Sequence, residues 1–338
     1  MMKHIALIVF VLSLALLPLP CPAGEAPPAE QPLSAETMAL LRDAGRKVQA
    51  LLQQEQILEA AKLLRETAEK VGANPAADQL RFDAANLMLM SYQSTGTGRD
   101  DLHKAIADFL AKASNQTKEQ AYIAAASLYA DSLGYQQAEA TLKEYLDKFP
   151  APTKEEIEQF KKQVPPVDLQ SGEAVEHPRL LGRQAAEGIV KRISVVGKKP
   201  PQFELVTLTG AKVSPDSFKG KVLLIYFWAT WCAPCRAELP DIRMTYGKHH
   251  EAGFEILGLS LDRDKDKLTA FVDSEKIPWQ QAFLTQEVAK PLAEAYCFEP
   301  IPAMFLVDRQ GIVRARDVHG PVLEAEIERL IKEKPPAP

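Results

Sequence analysis

Cysteine is scarce in this chain, with four cysteines in 338 residues. Secreted domains that depend on a disulfide framework carry far more, so such a scaffold is excluded. Two of the four, Cys232 and Cys235, form a C-x-x-C motif, and no second C-x-x-C or zinc-type histidine pair follows them. A four-ligand zinc site therefore lacks ligands, and we predict no metal.

An excess of basic residues is also missing, because 40 Lys and Arg stand against 45 Asp and Glu, a formal net charge of −5. Binding to DNA or RNA relies on clustered positive charge, so we expect no nucleic-acid partner. Hydrophobic residues make up 46% and charged residues 25%, which is ordinary for a soluble globular protein. The length predicts two domains.

Long apolar runs are absent as well. The strongest run, residues 5–17, is too short to span a bilayer, follows Lys3, and is ended by prolines and a stretch of small residues. This order is typical of a secretory signal peptide, so we predict that residues 1–23 are removed and that the protein is exported, to the periplasm or another extracytoplasmic place. Two alternatives stay open: lipidation of Cys21, which Pro20 disfavours, and an uncleaved anchor.

The N-terminal half has few β-branched runs. Residues 24–33, rich in Pro, Ala and Glu, predict a flexible spacer. Residues 34–165 show apolar residues at helical spacing, which predicts an all-α domain. One part of it resembles the tetratricopeptide repeat, in which small residues let two antiparallel helices approach and a proline closes the repeat. A plain helical bundle is the alternative. The residues that carry this resemblance are Leu128, Gly134, Tyr135, Ala138, Tyr145 and Pro150.

In the C-terminal half the spacing of the apolar residues changes from the helical pattern. Residues 166–195 predict a linker with a possible helix at 180–193. Residues 203–208 alternate in polarity, and the apolar run 222–228 fits a buried central strand. Strands then alternate with helices up to a hairpin and a closing helix, so residues 196–333 predict an α/β sandwich with a mixed sheet. The other predicted helices are 233–249, 265–275, 287–296 and 322–332, and the other predicted strands are 255–260, 304–307 and 312–315.

The two cysteines lie where a predicted strand gives way to a predicted helix. Cys232 would stand at the helix N-terminus, where unpaired backbone N–H groups and the helix dipole favour negative charge. Such a setting lowers the pKa of a thiol, and the thiolate is the form that attacks disulfides. Pro234 suits the first helical turn, where its missing N–H has no partner. We therefore predict that Cys232 attacks and that Cys235, one turn further on, resolves the mixed disulfide.

Six short motifs follow one another in the C-terminal half. They are Val196-Gly-Lys-Lys-Pro-Pro-Gln-Phe203, Phe218-Lys-Gly-Lys221, Phe227-Trp-Ala-Thr-Trp-Cys-Ala-Pro-Cys235, Glu238-Leu-Pro240, Gly258-Leu-Ser-Leu-Asp262 and Ile301-Pro-Ala-Met-Phe-Leu-Val-Asp308. Because it carries these motifs in this order, the region resembles thioredoxins, and it resembles more closely the exported TlpA/ResA-like thiol–disulfide oxidoreductases. The resemblance implies a thioredoxin-like three-layer sandwich and a protein-disulfide oxidoreductase that needs no cofactor.

The resemblance also implies roles around the cysteines. Pro302 matches the cis-proline that faces the pair, and Ile301 would offer its backbone N–H and C=O to a bound peptide strand. Glu238 matches an acidic residue that exchanges protons with the resolving thiol, and Trp231 would shield the pair and contact substrate. Cytosolic thioredoxins carry a buried Asp where this chain has Tyr226. The alternatives are a solvated first-turn acid for Glu238 and a trans loop proline for Pro302.

Other chemistries are alternatives to thiol–disulfide exchange. The pair could be a structural disulfide, although C-x-x-C spacing favours redox exchange. A peroxiredoxin would share the sandwich, but its attacking cysteine follows a Pro-x-x-x-Thr/Ser-x-x pattern, and here Ile225 and Ala229 occupy the Pro and hydroxyl positions. Cys297 is predicted as a buried or semi-buried thiol, and a regulatory or intermolecular role is the alternative. Three isolated histidines are interpreted as surface or capping residues: His249, His250 and His319.

Together these features predict an exported oxidoreductase that exchanges dithiols and disulfides with the cysteines of other exported proteins. The direction of electron flow is not written in the sequence. The resemblance favours a reductant, kept reduced by a membrane electron donor and serving cytochrome or copper-site maturation. The helical domain is a candidate docking surface for a protein partner. The alternative function is a partner-binding scaffold in which the redox domain is only a docking element.

Overall fold

The computed structural model describes residues 33–163 and 176–333. The predicted signal peptide, residues 1–23, and nearly all of the predicted spacer lie outside this part of the chain. Within it, no helix combines the length and the apolar character that crossing a bilayer requires.

The chain divides into two compact units, and each is described by itself. The helical unit contains the described residues up to Val190 except residues 92–97. The sheet unit contains residues 92–97 and the described residues from Lys191 onward.

Helices alone form the regular structure of the helical unit. Their cores are small: one cluster gathers Val48, Leu52 and Leu64, and a second gathers Tyr122, Leu142 and Tyr145. These side chains recur at helical spacing, so each helix buries one apolar stripe against its neighbours. The helices are α1 Ala35–Gln53, α2 Ile57–Val71, α3 Pro75–Thr95, α4 Arg99–Lys112, α5 Lys118–Asp131, α6 Tyr135–Lys148, α7 Lys154–Gln163 and α8 Pro178–Ile193. The last residues of α3, from 92, and of α8, from 191, belong to the sheet unit.

Helices α5 and α6 form a hairpin that requires small residues at its contacts. A Cβ at Gly134 would lie 3.0 Å from the His103 ring and 3.1 Å from the Tyr129 ring. Ala138 is fully buried one turn later. The close approach is therefore possible because these side chains are small. The assignment to the tetratricopeptide class stays a prediction.

Helix α8 occupies the second half of the segment predicted as a linker. Its Ala186 is fully buried in the cluster around Tyr145, and a Cβ at Gly182 would lie 2.6 Å from the Tyr145 hydroxyl. Residues up to Val190 thus contribute to the packing of the helical unit.

A five-stranded mixed sheet forms the centre of the sheet unit, with the strand order β5-β4-β3-β6-β7. Strands β3, β4 and β5 run parallel, whereas β6 is antiparallel to both β3 and β7. A separate two-stranded ribbon joins β1 to β2. The strands are β1 Leu205–Val206, β2 Lys212–Val213, β3 Val222–Trp228, β4 Phe254–Ser260, β5 Gln280–Phe283, β6 Ala303–Val307 and β7 Val313–Arg316. The helices are α9 Ala233–His249, α10 Lys265–Ser274, α11 Gln286–Tyr296 and α12 Gly320–Lys332.

Strand β3 is buried along its whole length because helices cover both faces of the sheet. Phe227 packs against Tyr296 of α11 on one face. On the other face Trp228 packs against Phe271 of α10, and the Tyr226 hydroxyl reaches α9. This is a thioredoxin-like three-layer sandwich with a mixed sheet, preceded by an all-α unit, so the predicted fold class is confirmed.

Two segments differ from the predicted elements. Of the alternating residues 203–208, only Leu205–Val206 form a strand, and these pair with β2 across a turn at Gly210, where φ is +86°. Strand β5 was not predicted. Its sequence, Gln-Gln-Ala-Phe, is polar at its start and too short to show a period, and its pairing with β4 defines it.

Candidate functional site

The two cysteines lie at the start of α9, immediately after the central strand. Cys232 is the N-cap residue, and its Sγ accepts a hydrogen bond from the backbone N–H of Cys235 at 3.2 Å. The two sulfurs are joined in a disulfide. Cys232 is 4% exposed and Cys235 is fully buried. Of the two sulfurs, that of Cys232 is therefore the one an external disulfide can reach.

A buried carboxylate holds the loop between β3 and Cys232. Asp262 accepts hydrogen bonds from the Thr230 hydroxyl at 2.6 Å, the Thr230 N–H at 3.1 Å and the Ser260 hydroxyl at 2.7 Å. The contact arises because β3 and β4 are parallel and in register, with Trp228 opposite Ser260, so the residues after both strands meet at one sheet edge. Asp262 belongs to one of the quoted motifs, but the sequence indicated no role for it.

Ile301 and Pro302 lie beside the sulfur of Cys232. The peptide bond between them is cis. Strand β6 begins at the next residue and pairs Ala303 with Phe227 of β3, which brings the start of β6 to the end of β3. As a result the Ile301 carbonyl oxygen is 3.7 Å from the Sγ of Cys232. The structure thus brings the pair Cys232 and Cys235 together with the pair Ile301 and Pro302, which follows more than sixty residues later in the sequence.

Trp231 is 63% exposed, although it is a large hydrophobic side chain next to Cys232. Its indole therefore presents an apolar surface to solvent next to Cys232 in the chain. The shielding role expected for it stays a prediction.

Glu238 is partly buried on α9, three residues after Cys235, so the two side chains share one helix face. Its Oε1 is 2.8 Å from Nδ1 of His319. Its Oε2 is buried and has no hydrogen-bond partner among the described residues. Burial lowers the pKa of His319, but the hydrogen bond and charge of Glu238 and the charge of Asp317 outweigh it, so this pKa is raised.

Tyr226 occupies the position at which cytosolic thioredoxins carry a buried Asp. Its side chain is fully buried, and its hydroxyl donates to the backbone carbonyl of Cys235 at 3.2 Å. Burial, and then the charge of Glu238, raise the pKa of Tyr226 far above its ordinary value. The phenol therefore stays protonated at physiological pH.

A small cavity opens between α9, β6 and the start of α12. Glu238 and His319 both line it, so it lies next to the cysteine-bearing helix turn. The remaining lining residues are Asp241, Ile242, Thr245, Met304, Gly320 and Leu323.

One of the three histidines, His249, does not fit its predicted surface role, and His319 makes a contact that was not predicted. His319 is exposed and is the N-cap of α12, as predicted, but it also contacts Glu238 of α9. His249 is only 7% exposed, because α9 packs against α12 there. His250 is exposed, and its Nδ1 lies 3.2 Å from the Phe254 carbonyl oxygen. No local pattern could have revealed the first two contacts, since both depend on how α12 lies against α9. Cys297 is half-buried, as predicted, and follows the last residue of α11.

One group in the described residues gathers side chains of the metal-ligating type: His249, Glu324 and Glu328. Lys248 Nζ already contacts both carboxylates. The group is thus explained as an ion-pair network at the far end of α9 from the cysteines.

Comparisons with known proteins agree on the sheet unit. The AhpC/TSA family model matches residues 196–316. The thiol-disulfide oxidoreductases ResA of Bacillus thuringiensis subsp. konkukian (strain 97-27) and of Bacillus cereus (strain ATCC 10987 / NRS 248) are each 30% identical over 141 residues. That alignment is 42% of this chain and 79% of each of those proteins. The thioredoxin domain of a thiol-disulfide oxidoreductase from Bacteroides vulgatus is 32% identical, and the match covers 40% of this chain and 98% of that structure, with a TM-score of 0.39.

Proposed function

Because the chain belongs to the ResA-type family of thiol-disulfide oxidoreductases, we propose that its sheet unit reduces disulfides in exported proteins, with Cys232 attacking and Cys235 resolving. The enzyme class is that of protein-disulfide oxidoreductases. The proposal concerns the direction of electron flow, the compartment in which the protein acts and the role of each site residue.

The observation that carries the proposal is the position of Cys232 as the N-cap of α9. Its sulfur accepts the Cys235 N–H, so a negative charge on it would be held by a backbone donor and by the helix dipole. A thiolate at this position is nucleophilic and, at 4% exposure, still borders on solvent.

The exchange takes place in two displacements. The Cys232 thiolate attacks one sulfur of the substrate disulfide, the substrate S–S bond breaks, and one substrate thiolate leaves. Cys235 then gives up its proton and attacks Cys232 Sγ, and the second substrate thiolate leaves. The substrate has gained two electrons, and the enzyme is left with the Cys232–Cys235 disulfide.

Proton transfer at the resolving thiol is assigned to Glu238. It lies on the same helix face as Cys235, and its buried Oε2 is available to accept a hydrogen bond. Tyr226 stays protonated and holds the backbone of Cys235 instead, so it does not replace the missing Asp as a base.

Substrate binding is assigned to the backbone of Ile301 and the indole of Trp231. The Ile301 carbonyl lies next to the attacking sulfur, where it can accept a hydrogen bond from an extended peptide. The exposed indole offers an apolar contact on the same side of the site.

Export and the electron source complete the proposal. The sequence of residues 1–23 supports export by a signal peptide. An enzyme that reduces substrates outside the cytoplasm must be returned to the dithiol state after each reaction. We assign this re-reduction to a membrane dithiol donor, and we assign cytochrome maturation as the process that the enzyme serves. The helical unit, with its close hairpin at Gly134, is assigned to docking of a protein partner.

A trapping experiment tests the proposal. The full chain with Cys235→Ser is expressed in cells with its own residues 1–23, and disulfide-linked species are identified by mass. We expect mixed disulfides through Cys232, and none in the matched Cys232→Ser variant, whose serine still caps α9. Partners that persist in Cys232→Ser would show that the attacking thiol is wrongly assigned. Finding the wild-type pair oxidised in growing cells would contradict the reductant direction.

A further inference from the structure

We propose that His319 is a positioning residue that links Glu238 to solvent, so that the carboxyl and the imidazole act as one proton relay for Cys235. This inference rests on the proposed function, since it concerns how the resolving thiol loses its proton. No local sequence pattern indicates this link, because His319 lies eighty-one residues after Glu238.

The first support is the orientation of the carboxyl group. Oε1 of Glu238 is held 2.8 Å from Nδ1 of His319. Oε2 is buried and has no hydrogen-bond partner in the described part of the chain. A buried carboxyl oxygen without a partner is costly, and such groups occur where a site uses them. The imidazole therefore fixes one oxygen and leaves the other free for exchange.

The second support is the set of groups around the carboxyl. Tyr226 faces it from β3, Asp241 lines the same cavity from α9, and Asp317 adds charge from the segment before α12. Tyr226 stays protonated and is bonded to the Cys235 carbonyl. Among these titratable groups His319 is the one at hydrogen-bonding distance from Glu238.

The third support is the difference in exposure between the two partners. The His319 side chain is 43% exposed, whereas that of Glu238 is 28% exposed and its Oε2 is buried. A proton received by the carboxyl therefore has a path to bulk water through the imidazole. Since histidine changes its charge near neutral pH, the ring can both take up and release that proton.

The relay moves one proton and no electrons. As Cys235 attacks Cys232 Sγ, the Cys235 proton passes to the Glu238 carboxylate. Nδ1 of His319 keeps its hydrogen bond to Oε1 of Glu238, and the ring releases one proton to solvent from its other nitrogen, so the pair gains one proton at the carboxyl and loses one at the imidazole. The disulfide and the departing substrate thiolate are those of the second displacement described above.

The test is a pH profile of the resolving step. The reduced chain from residue 24 onward is mixed with oxidised glutathione, and the decay of the glutathione mixed disulfide is followed by quenching and mass between about pH 5.5 and 9. His319→Asn keeps a donor near the Nδ1 position and a good N-cap for α12, but it does not titrate. We expect it to slow resolution about 10-fold near pH 7 and to remove one inflection from the profile.

The controls separate a relay from a general loss of structure. His250→Asn changes another exposed histidine and should leave the profile as in the wild type. Glu238→Gln should slow resolution about 100-fold, and adding His319→Asn to it should cause no further loss, because a relay without its carboxyl has nothing to pass.

Two outcomes overturn the relay. A His319→Asn profile that superimposes on the wild type would remove His319 from proton transfer. Independent, additive effects of the two substitutions would show that they do not act together. If the wild type forms no mixed disulfide at any pH, the proposed function itself fails. This result differs from the two outcomes above, because in both of them the wild type still forms and resolves the mixed disulfide.

Discussion

Replacing Asp262 with alanine should loosen the loop that carries Cys232. The carboxylate is 6% exposed and receives hydrogen bonds from the Thr230 hydroxyl, the Thr230 N–H and the Ser260 hydroxyl. Ser260 is fully buried, so its hydroxyl loses its partner without gaining water, whereas Thr230 is partly exposed and can be rehydrated. Losing a charged acceptor of this kind costs about 3 kcal/mol of unfolding free energy.

The assay uses the placement of the tryptophans. The chain has three, Trp228, Trp231 and Trp279, and all of them lie in the sheet unit. Tryptophan fluorescence in urea therefore reports the unfolding of that unit separately from the helical unit. With a denaturant slope of about 1.5 kcal/mol per molar urea, a loss of 3 kcal/mol lowers the midpoint by about 2 M.

Asp264→Ala is the matched control. Asp264 is an exposed N-cap that accepts from the backbone N–H groups of Asp266 and Lys267. Its replacement should cost about 1 kcal/mol and, with the same slope, lower the midpoint by about 0.7 M. We also expect Asp262→Ala to slow insulin reduction, because the loop next to the attacking sulfur becomes mobile, and Asp264→Ala to leave it unchanged. Equal shifts for the two variants would refute the claim that the buried network holds this loop.

Three further predictions follow from the site. Cys235→Ser should accumulate mixed disulfides on Cys232 during insulin reduction, detected on non-reducing gels, and their absence would contradict the assigned order of attack. Tyr226→Phe removes the hydroxyl that is hydrogen-bonded to the Cys235 carbonyl and should lower the unfolding free energy by about 1 kcal/mol. Urea titration measures this, and an unchanged midpoint would show that the hydrogen bond does not contribute to stability. Because the folded-state pKa of His319 is raised, its contact with Glu238 contributes stability that is present at low pH and is lost as pH rises through that pKa. The difference in urea midpoint between wild type and His319→Asn should therefore be larger at about pH 6 than at about pH 9, and a constant difference would contradict this.

The parts of the fold that local pattern determines could be predicted closely. The apolar run that became β3 and the helix that became α9 have the predicted bounds, because a continuous hydrophobic stretch and a proline in the first turn define them within a few residues. Strand β5 could not be predicted in this way. Its Gln-rich start has no apolar alternation, and only pairing with β4 makes it a strand.

In the site, too, the residues that are close in the sequence could be predicted, and the long-range contacts could not. Cys232, Cys235 and Glu238 lie within seven residues, so the sequence shows them together, and resemblance adds Ile301 and Pro302. The contacts that shape their environment are long-range. Thr230 meets Asp262 through the register of β3 and β4, and this register is a property of the whole sheet.

The histidines illustrate the limit most plainly. His319 stands alone in the sequence, and nothing within ten residues of it suggests a partner at Glu238. His249 is polar and follows a lysine, yet it is buried where α9 packs against α12. Side-chain identity predicts neither position, because both result from the packing of two helices that are distant along the chain.

The central claim is that the start of α9 holds the sulfur of Cys232 as a thiolate. It is tested most directly by alkylating the reduced protein with iodoacetamide across pH and measuring the rate at each cysteine by peptide mass. Cys297 serves as an internal reference, since it is half-buried at the opposite, C-terminal end of a helix. We predict that Cys232 reacts faster than Cys297 at about pH 6 and that its rate reaches half its maximum below about pH 8.5, the value for free cysteine. A Cys232 rate that rises only at or above that pH would contradict the account.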